Sequence, residues 1–184
     1  MNFFLIANNT TITSKTIEDL PIQKEDIIIL YNWQFPLRWK KIKEHERKWL
    51  FLRKKVNGWW GQTAFKKHKN KYQKIILASQ NGISKKTLNS FKKKYGLDNV
   101  VTFAKKRTDI TSWVKFPKRV IPQTGLISYI YVKTRYDELC DKIYLIGFTN
   151  KYKKRWSGHS RKIEQAFFKK EKDKSEGKII KINK

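Results

Sequence analysis

Cysteine is almost absent from this chain of 184 residues, in which Cys140 is the single thiol. One cysteine cannot form an intramolecular disulfide, and cysteine-rich metal sites require several thiolates. The disulfide-scaffold and zinc-finger classes are therefore excluded. The length fits one domain with its own hydrophobic core, and an aromatic content of 14% increases the area that each buried residue contributes.

Acidic residues are also scarce, since 15 Asp and Glu stand against 43 Lys and Arg, which gives a formal net charge of +28. A field of this sign attracts polyanions, so nucleic acid, anionic lipid and nucleotide-sugar partners are all favoured. The excess is mostly lysine spread along the whole chain, which is equally typical of a solvated surface. Charge alone therefore does not name the partner.

Long apolar runs are missing as well. No stretch approaches the ~20 apolar residues that span a membrane. Asn8, Asn9 and Thr10 interrupt the first apolar run before it is long enough for a secretion signal. We therefore expect a cytoplasmic protein, with contact to an anionic inner membrane surface as a further option.

Several motifs of cofactor and metal chemistry are absent. The sequence contains no Asp-x-Asp, no Walker loop, no Gly-x-Gly-x-x-Gly and no His-Glu-x-x-His. We therefore expect neither a metal site nor a bound cofactor.

Short apolar runs recur along the chain and alternate with helical patterns. Six of them predict strands, at residues 3–7, 27–31, 49–52, 74–78, 99–103 and 141–146. Helical patterns cover residues 84–95, 125–139 and 160–172. The alternation predicts an α/β fold, a single Rossmann-like domain with a mainly parallel sheet flanked by helices. We expect this domain to cover residues 1–172, with a basic tail or a short terminal strand over residues 173–184.

Asparagines follow the first two predicted strands. Asn8 and Asn9 come after the first strand, and Asn32 comes after the second. Ligands of parallel α/β sheets bind outside the carboxyl ends of the strands, and an asparagine side chain offers both a donor and an acceptor. The three residues are therefore candidate ligand contacts, although a single asparagine in such a place often only satisfies its own loop.

A Pro-Gln-Thr-Gly segment at residues 122–125 opens a predicted helix. Thr124 adds a hydroxyl to the free N–H groups of a helix N-terminus, where anions bind. Gly125 allows the backbone to approach a phosphate closely. An ordinary N-cap threonine is the alternative.

His159 and Glu164 form a His-x4-Glu pair near the start of the last predicted helix. An imidazole accepts protons near neutral pH, which suits the deprotonation of a hydroxyl. Glu164, one turn inside the helix, is placed to support it. A surface histidine beside a basic helix is the alternative.

Taken in order, these segments resemble the motifs of the sialyltransferases, in particular glycosyltransferase family 29 and its bacterial relatives. The family's large motif is similar to the asparagines at the ends of the first two strands. Its small motif is similar to a set of residues in the second half of the chain, namely Pro122, Thr124, Gly125, Cys140, Asp141, Gly147 and Phe148. Its very small motif is similar to His159 and Glu164.

The resemblance implies an inverting, metal-independent glycosyltransferase of a GT-A-like, Rossmann-type fold. Such an enzyme would move sialic acid or a related keto-sugar from a CMP-activated donor to the hydroxyl of a glycan or of a lipid-linked acceptor. The resemblance also implies that His159 is the general base, with Glu164 in support. The donor contacts that it implies are Asn8, Asn9, Asn32, Thr124 and Gly125.

Two other classes stay open. The segments at residues 129–131, 144–147 and 154–156, together with His159, resemble those of the GIY-YIG nucleases, and the basic charge agrees with a nucleic-acid substrate. A non-catalytic basic protein that stacks bases on exposed aromatic side chains is the second alternative. Its platform would consist of Trp33, Trp39, Trp59 and Trp60.

Overall fold

The computed structural model of the chain describes residues 1–9, 11–32, 35–55, 58–59, 69–79, 83–104, 112–117, 122–148 and 161–182. Eight strands lie in these ranges, at Phe3–Ile6 (β1), Ile27–Tyr31 (β2), Lys48–Lys55 (β3), Gly58–Trp59 (β4), Lys74–Ser79 (β5), Val100–Ala104 (β6), Ile143–Ile146 (β7) and Ile179–Ile182 (β8). The α-helices of the same ranges are Ser14–Glu18 (α1), Lys40–Glu44 (α2), Lys85–Tyr95 (α3), Thr124–Tyr136 (α4) and Arg161–Lys174 (α5).

The central strands are buried on both faces. All residues of β1, β2 and β7 are buried, because these strands are apolar at even and odd positions alike. Strands of this kind belong in the middle of a parallel sheet that carries helices on both sides. The sheet meets this requirement, since α4 and α5 bury Ile130 and Phe168 against one face. On the other face, α1, α2 and α3 bury Ile17, Ile42 and Phe91.

The sheet has the order β6-β5-β3-β2-β1-β7-β8, and every pairing along this path is parallel. The short β4 pairs antiparallel with the end of β3. From β1 the chain moves outward through β2, β3, β5 and β6, and it then returns to place β7 on the other side of β1. The strand order therefore reverses between β1 and β7, the point at which open α/β sheets bind ligands.

The predicted fold class is confirmed: the chain forms a Rossmann-like α/β domain with a parallel sheet between helices. Each of the six predicted strands has a counterpart, and the predicted helices correspond to α3, α4 and α5. Local sequence signals set α3, whose N-cap Ser84 accepts a hydrogen bond from the Thr87 N–H and whose C-cap Gly96 has a φ of 62°. The pattern did not predict α1, α2 or β4.

The C-terminal segment contains the strand rather than a free tail. Helix α5 continues to Lys174, and β8 pairs in parallel with β7 at the edge of the sheet. None of the described helices is long and apolar enough to cross a membrane.

Candidate active site at the carboxyl edge of the sheet

Six segments meet at the carboxyl edge of the sheet, around the point where the strand order reverses. They are the residues after β1, β2 and β7, the part of β3 around Arg53, and the first turns of α4 and α5. Hydrogen bonds between distant parts of the chain join these segments. The predicted site residues Asn8, Asn9, Asn32, Thr124, Gly125 and Glu164 all lie in this region.

Asn9 holds the loop after β1 against the end of β7. Its side-chain amide donates to the Gly147 carbonyl at 3.0 Å, and its side-chain carbonyl accepts from both the N–H and the hydroxyl of Thr11. The residue is only 3% exposed. Because these groups are engaged within the fold, we interpret Asn9 as a positioning residue rather than as the donor contact that the resemblance implies.

Asn8 and Asn32 link the ends of neighbouring strands and remain half-buried. The Asn8 amide donates to the Tyr31 carbonyl at 3.0 Å, which joins the end of β1 to the end of β2. Asn32 accepts from the Arg53 N–H at 3.0 Å, and its amide lies 3.5 Å from the Thr124 hydroxyl. Asn32 therefore brings β2, β3 and the start of α4 to one place.

The first turn of α4 has N–H groups without a partner among the described residues. Gln123 is the N-cap, and its side chain makes no capping hydrogen bond. The N–H groups of the first helical residues, beginning with Thr124 and Gly125, have no carbonyl one turn earlier in the helix. The Thr124 hydroxyl of the same turn lies beside the half-buried Asn32, and the positive end of the helix dipole lies at this turn. This turn is therefore able to accept an anion.

Gly125 is needed for packing. A Cβ at this position would lie 2.3 Å from Cε1 of Phe148, because the phenyl ring rests on the backbone of α4. The sequence predicted a glycine here for close approach to a phosphate. The structure gives a different reason, since the neighbour that requires the small residue is Phe148.

A hydroxyl chain fixes α4 against β2. The Tyr31 hydroxyl lies 2.7 Å from the Ser128 hydroxyl, which in turn donates to the Gly125 carbonyl at 2.8 Å. Burial is the main reason why the pKa of Tyr31 is raised well above its usual range, so this phenol is neutral at physiological pH. These two hydroxyl groups therefore position the first turn of α4, and neither of them carries a charge.

Glu164 caps α4 from the neighbouring helix. It is only 3% exposed, and its carboxylate accepts from the Gln123 N–H at 2.6 Å. The sequence predicted that Glu164 supports His159. His159 lies outside the described residues, so this stays a prediction. One partner of Glu164 within the described residues is the turn that opens α4, where a carboxylate also benefits from the helix dipole.

Arg53 is a site residue that the sequence did not reveal. It lies at the end of β3, and its guanidinium donates to the Pro122 carbonyl. Burial lowers the pKa of Arg53, while the nearby Glu164 carboxylate raises it. The one available signal was a cation directly after a run of apolar strand residues, which is a weak signal in a chain with 43 Lys and Arg.

Some predicted residues lie outside the described residues. His159 is one of them, two positions before Arg161, the first residue of α5. The same holds for Trp33 and Trp60 and for the side chain of Trp59, whereas Trp39 is 6% exposed and offers no stacking surface.

The tyrosines that suggested a nuclease have structural contacts, whereas residues 154–156 and His159 lie outside the described residues. Tyr129 and Tyr131 are buried in helix α4, and Tyr144 stacks on Phe4 within the sheet at 4.3 Å between ring centroids. The Tyr129 hydroxyl donates to Glu171. These three tyrosines therefore contribute to the core and do not form a surface for nucleic acid.

The edge thus combines half-buried amide and hydroxyl groups, open helix N–H groups and one guanidinium beside a carboxylate. Within the described residues, no group of three or more His, Cys, Asp and Glu side chains is placed to hold a metal ion. The arrangement is suited to bind a phosphate group and the polar edge of a nucleoside. Comparison of the chain with family models, curated proteins and solved structures gives no match.

Proposed function

We propose that this protein is an inverting glycosyltransferase that moves sialic acid or a related keto-sugar from a CMP-activated donor to a hydroxyl group of a glycan or lipid-linked acceptor. The ordered motif resemblance names the donor and the reaction. The observation that carries the proposal is the contact between Asn32 and Thr124, 92 residues apart in the sequence, at the carboxyl edge of the sheet. Both come from motifs that the resemblance assigns to the donor site.

The donor phosphate would bind at the first turn of α4. The N–H groups that lack a partner among the described residues, the Thr124 hydroxyl and the positive end of the helix dipole all favour a phosphate there. Asn8 and Asn32 would hold the cytidine or its ribose, because their side chains lie at the neighbouring strand ends. Arg53 adds a nearby positive charge.

The reaction needs a base and a stabilised leaving group. In the proposed mechanism His159 takes the proton of the acceptor hydroxyl, whose oxygen then bonds to the anomeric carbon of the donor sugar. The bond from that carbon to the phosphate oxygen breaks at the same time, and CMP leaves with the electron pair. The helix N–H groups and Arg53 would stabilise the negative charge that develops on the phosphate.

Glu164 would act on the site through α4. Its carboxylate holds the Gln123 N–H, so it fixes the direction in which the following N–H groups point. This assignment differs from the role that the resemblance gives it beside His159. It makes Glu164 a positioning residue for donor binding.

A thermal-shift titration with CMP tests the donor site. Saturating CMP should raise the unfolding temperature by about 5–10 °C, as expected for a ligand at about 100 times its Kd. Asn32→Ala and Thr124→Val should abolish most of this shift. Thr134→Val is the matched control, because that hydroxyl lies on the last turns of the same helix and bonds only to helix carbonyls among the described residues.

The controls separate the proposal from its rivals. GMP and duplex DNA are titrated at the same moderately high ionic strength, which suppresses nonspecific attraction to the basic surface. No stabilisation by CMP, together with stabilisation by DNA, would overturn the transferase proposal. It would move the search for a substrate to nucleic acid.

The chemical step is tested separately from binding. His159→Ala should lower the rate of transfer by about 10²–10⁴-fold, the usual contribution of a general base. The same variant should keep its CMP shift, because the imidazole acts on the acceptor. An unchanged rate of transfer would remove His159 from the mechanism.

A further inference from the structure

Lys48 is a buried lysine at the amino edge of the sheet. It is the first residue of β3 and is only 4% exposed. Its ammonium group donates no hydrogen bond and forms no ion pair with any described residue. Water still reaches this ammonium, because the one fully buried side-chain N or O atom without a partner among the described residues is Asn99 Oδ1. The aliphatic stem of Lys48 is therefore buried, while its charged end opens to the surface.

The surroundings of Lys48 make its isolation more costly. Lys71, in the short turn before β5, lies within electrostatic range of it and repels it. Glu46 also lies in range and attracts it, but not as a contact ion pair. The pKa of Lys48 lies below its usual value, mainly because the residue is buried and secondly because Lys71 repels it. The site is therefore short of negative charge.

Lys48 lines a surface depression of about 460 Å³. Lys43, Lys71 and Asn70 line the same depression, together with Glu44 and Glu46. The other polar groups have partners within the fold: His45 bonds to the Asp26 carbonyl, and the Gln73 side chain accepts from Trp49. Three lysines therefore line the depression against two carboxylates.

We propose that this depression binds a phosphate-bearing anion, with Lys48 as its central contact and Lys43 and Lys71 at its sides. The site is separate from the candidate active site, because β3 runs from Lys48 at the amino edge to Arg53 at the carboxyl edge, about 17 Å away at the usual rise of a strand. A phosphate monoester has the charge to offset both the Lys48 ammonium and its neighbours. It comes either from a soluble phosphate compound or from the headgroup of an anionic lipid.

Isothermal titration with inorganic pyrophosphate tests the site. The wild-type chain should bind, and Lys48→Met should weaken binding by about tenfold or more, as expected when a charged contact is lost. Lys142→Met is the matched control, since this exposed lysine lies at the same edge of the sheet but does not line the depression. Equal affinities for wild type and Lys48→Met would overturn the proposal.

Two further measurements test whether a loss of pyrophosphate binding is specific to this depression. Lys71→Met should also weaken pyrophosphate binding, which keeps the test valid if the first variant folds poorly. Both variants should keep the thermal shift with CMP, because that ligand is assigned to the opposite edge. Loss of pyrophosphate binding with CMP binding intact therefore supports the new site whether or not the proposed transferase activity is found. Loss of both together, in folded protein, would place the pyrophosphate in the candidate active site and overturn the proposal.

Vesicle sedimentation then separates the two sources of the phosphate. Vesicles with phosphatidic acid in phosphatidylcholine are compared with pure phosphatidylcholine. If a lipid headgroup is the occupant, Lys48→Met should reduce sedimentation with the anionic vesicles far more than Lys142→Met does. Equal sedimentation of the two variants, with pyrophosphate binding still lost in Lys48→Met, would identify a soluble phosphate compound as the occupant.

Discussion

Single side chains join segments that are far apart in sequence, and they thereby give the carboxyl edge its shape. Asn9 joins the loop after β1 to Gly147, and Asn32 joins two strand ends to α4. Each bond orders groups that come from separate loops, so its loss affects several segments at once. The packing of Gly125 and the burial of Cys140 also depend on contacts with distant segments, and each leads to a prediction that can be measured.

Replacing Gly125 by alanine should destabilise the fold by about 1–3 kcal/mol, the usual cost of overpacking. The added methyl would lie 2.3 Å from the Phe148 ring, which in turn packs against Phe168 at 5.6 Å between centroids. Urea unfolding measures the loss. A Phe148→Leu background makes space for the methyl, so the cost of Gly125→Ala should be smaller there. An equal cost in both backgrounds would show that the ring is not the obstacle.

Cys140 should resist thiol reagents in the folded protein. Burial raises the pKa of its thiol to about 11, with Lys178 lowering it in part. Because the thiolate is the reactive form, its small population at pH 8 makes labelling slow. Iodoacetamide should therefore modify the denatured chain much faster than the native one, and the rate for the native chain should rise with pH toward 11. The assay is unambiguous, since the chain has a single cysteine, and equal rates for both states would contradict the burial.

At the scale of elements, the two helices on one face of the sheet are tied together where both begin. Glu164 of α5 accepts the N–H that opens α4, and Arg53 at the end of β3 reaches the carbonyl just before it. The two side chains also offset each other's charge. Two helices and one strand therefore share a small buried network at their ends, close to the proposed donor site.

Removing the Glu164 carboxylate should loosen this junction. Glu164→Ala leaves the Gln123 N–H without its acceptor and Arg53 with an uncompensated charge, so we expect a loss of about 2–4 kcal/mol in urea unfolding. Glu164→Gln keeps an acceptor of the same shape and should cost less. If the residue positions α4 for the donor, Glu164→Gln should also weaken CMP binding more than an exposed control such as Glu138→Gln. Equal CMP affinities for the two glutamine variants would limit Glu164 to a role in stability.

The elements differ in how well the sequence predicted them, for physical reasons. The apolar runs of β1, β2 and β7 are local signals that tertiary contacts reinforce, so their strands were predicted. Helices α1 and α2 have five residues each, too few for a helical period to be recognised. The candidate site was predicted only in part. Motif order indicated Asn32 and Thr124, but the partnerships of Arg53 with Pro122 and of Gly125 with Phe148 depend on long-range packing that no local pattern encodes.

At the scale of the whole molecule, positive charge is the dominant feature. Even if every carboxylate were paired with one cation, an excess of 28 positive charges would remain. This excess repels itself in the compact state more strongly than in the expanded unfolded chain, which lowers the stability of the fold. Lys48 is a local case of the same imbalance, since Lys71 repels it and its ammonium has no acceptor among the described residues.

Added salt should therefore stabilise this protein. Raising the NaCl concentration shortens the distance over which the surface lysines repel one another, to about 8 Å at physiological ionic strength. We expect a gain of about 1–2 kcal/mol between low and physiological salt, or about 3–6 °C in the unfolding temperature. Because screening acts on the whole surface, NaCl should stabilise Lys48→Met as much as the wild type. Pyrophosphate at the same ionic strength should add stability to the wild type but not to Lys48→Met. If NaCl leaves the unfolding temperature unchanged, self-repulsion does not limit the stability of this fold. The low pKa of Lys48 would then reflect only the groups around its depression and not the overall charge of the protein.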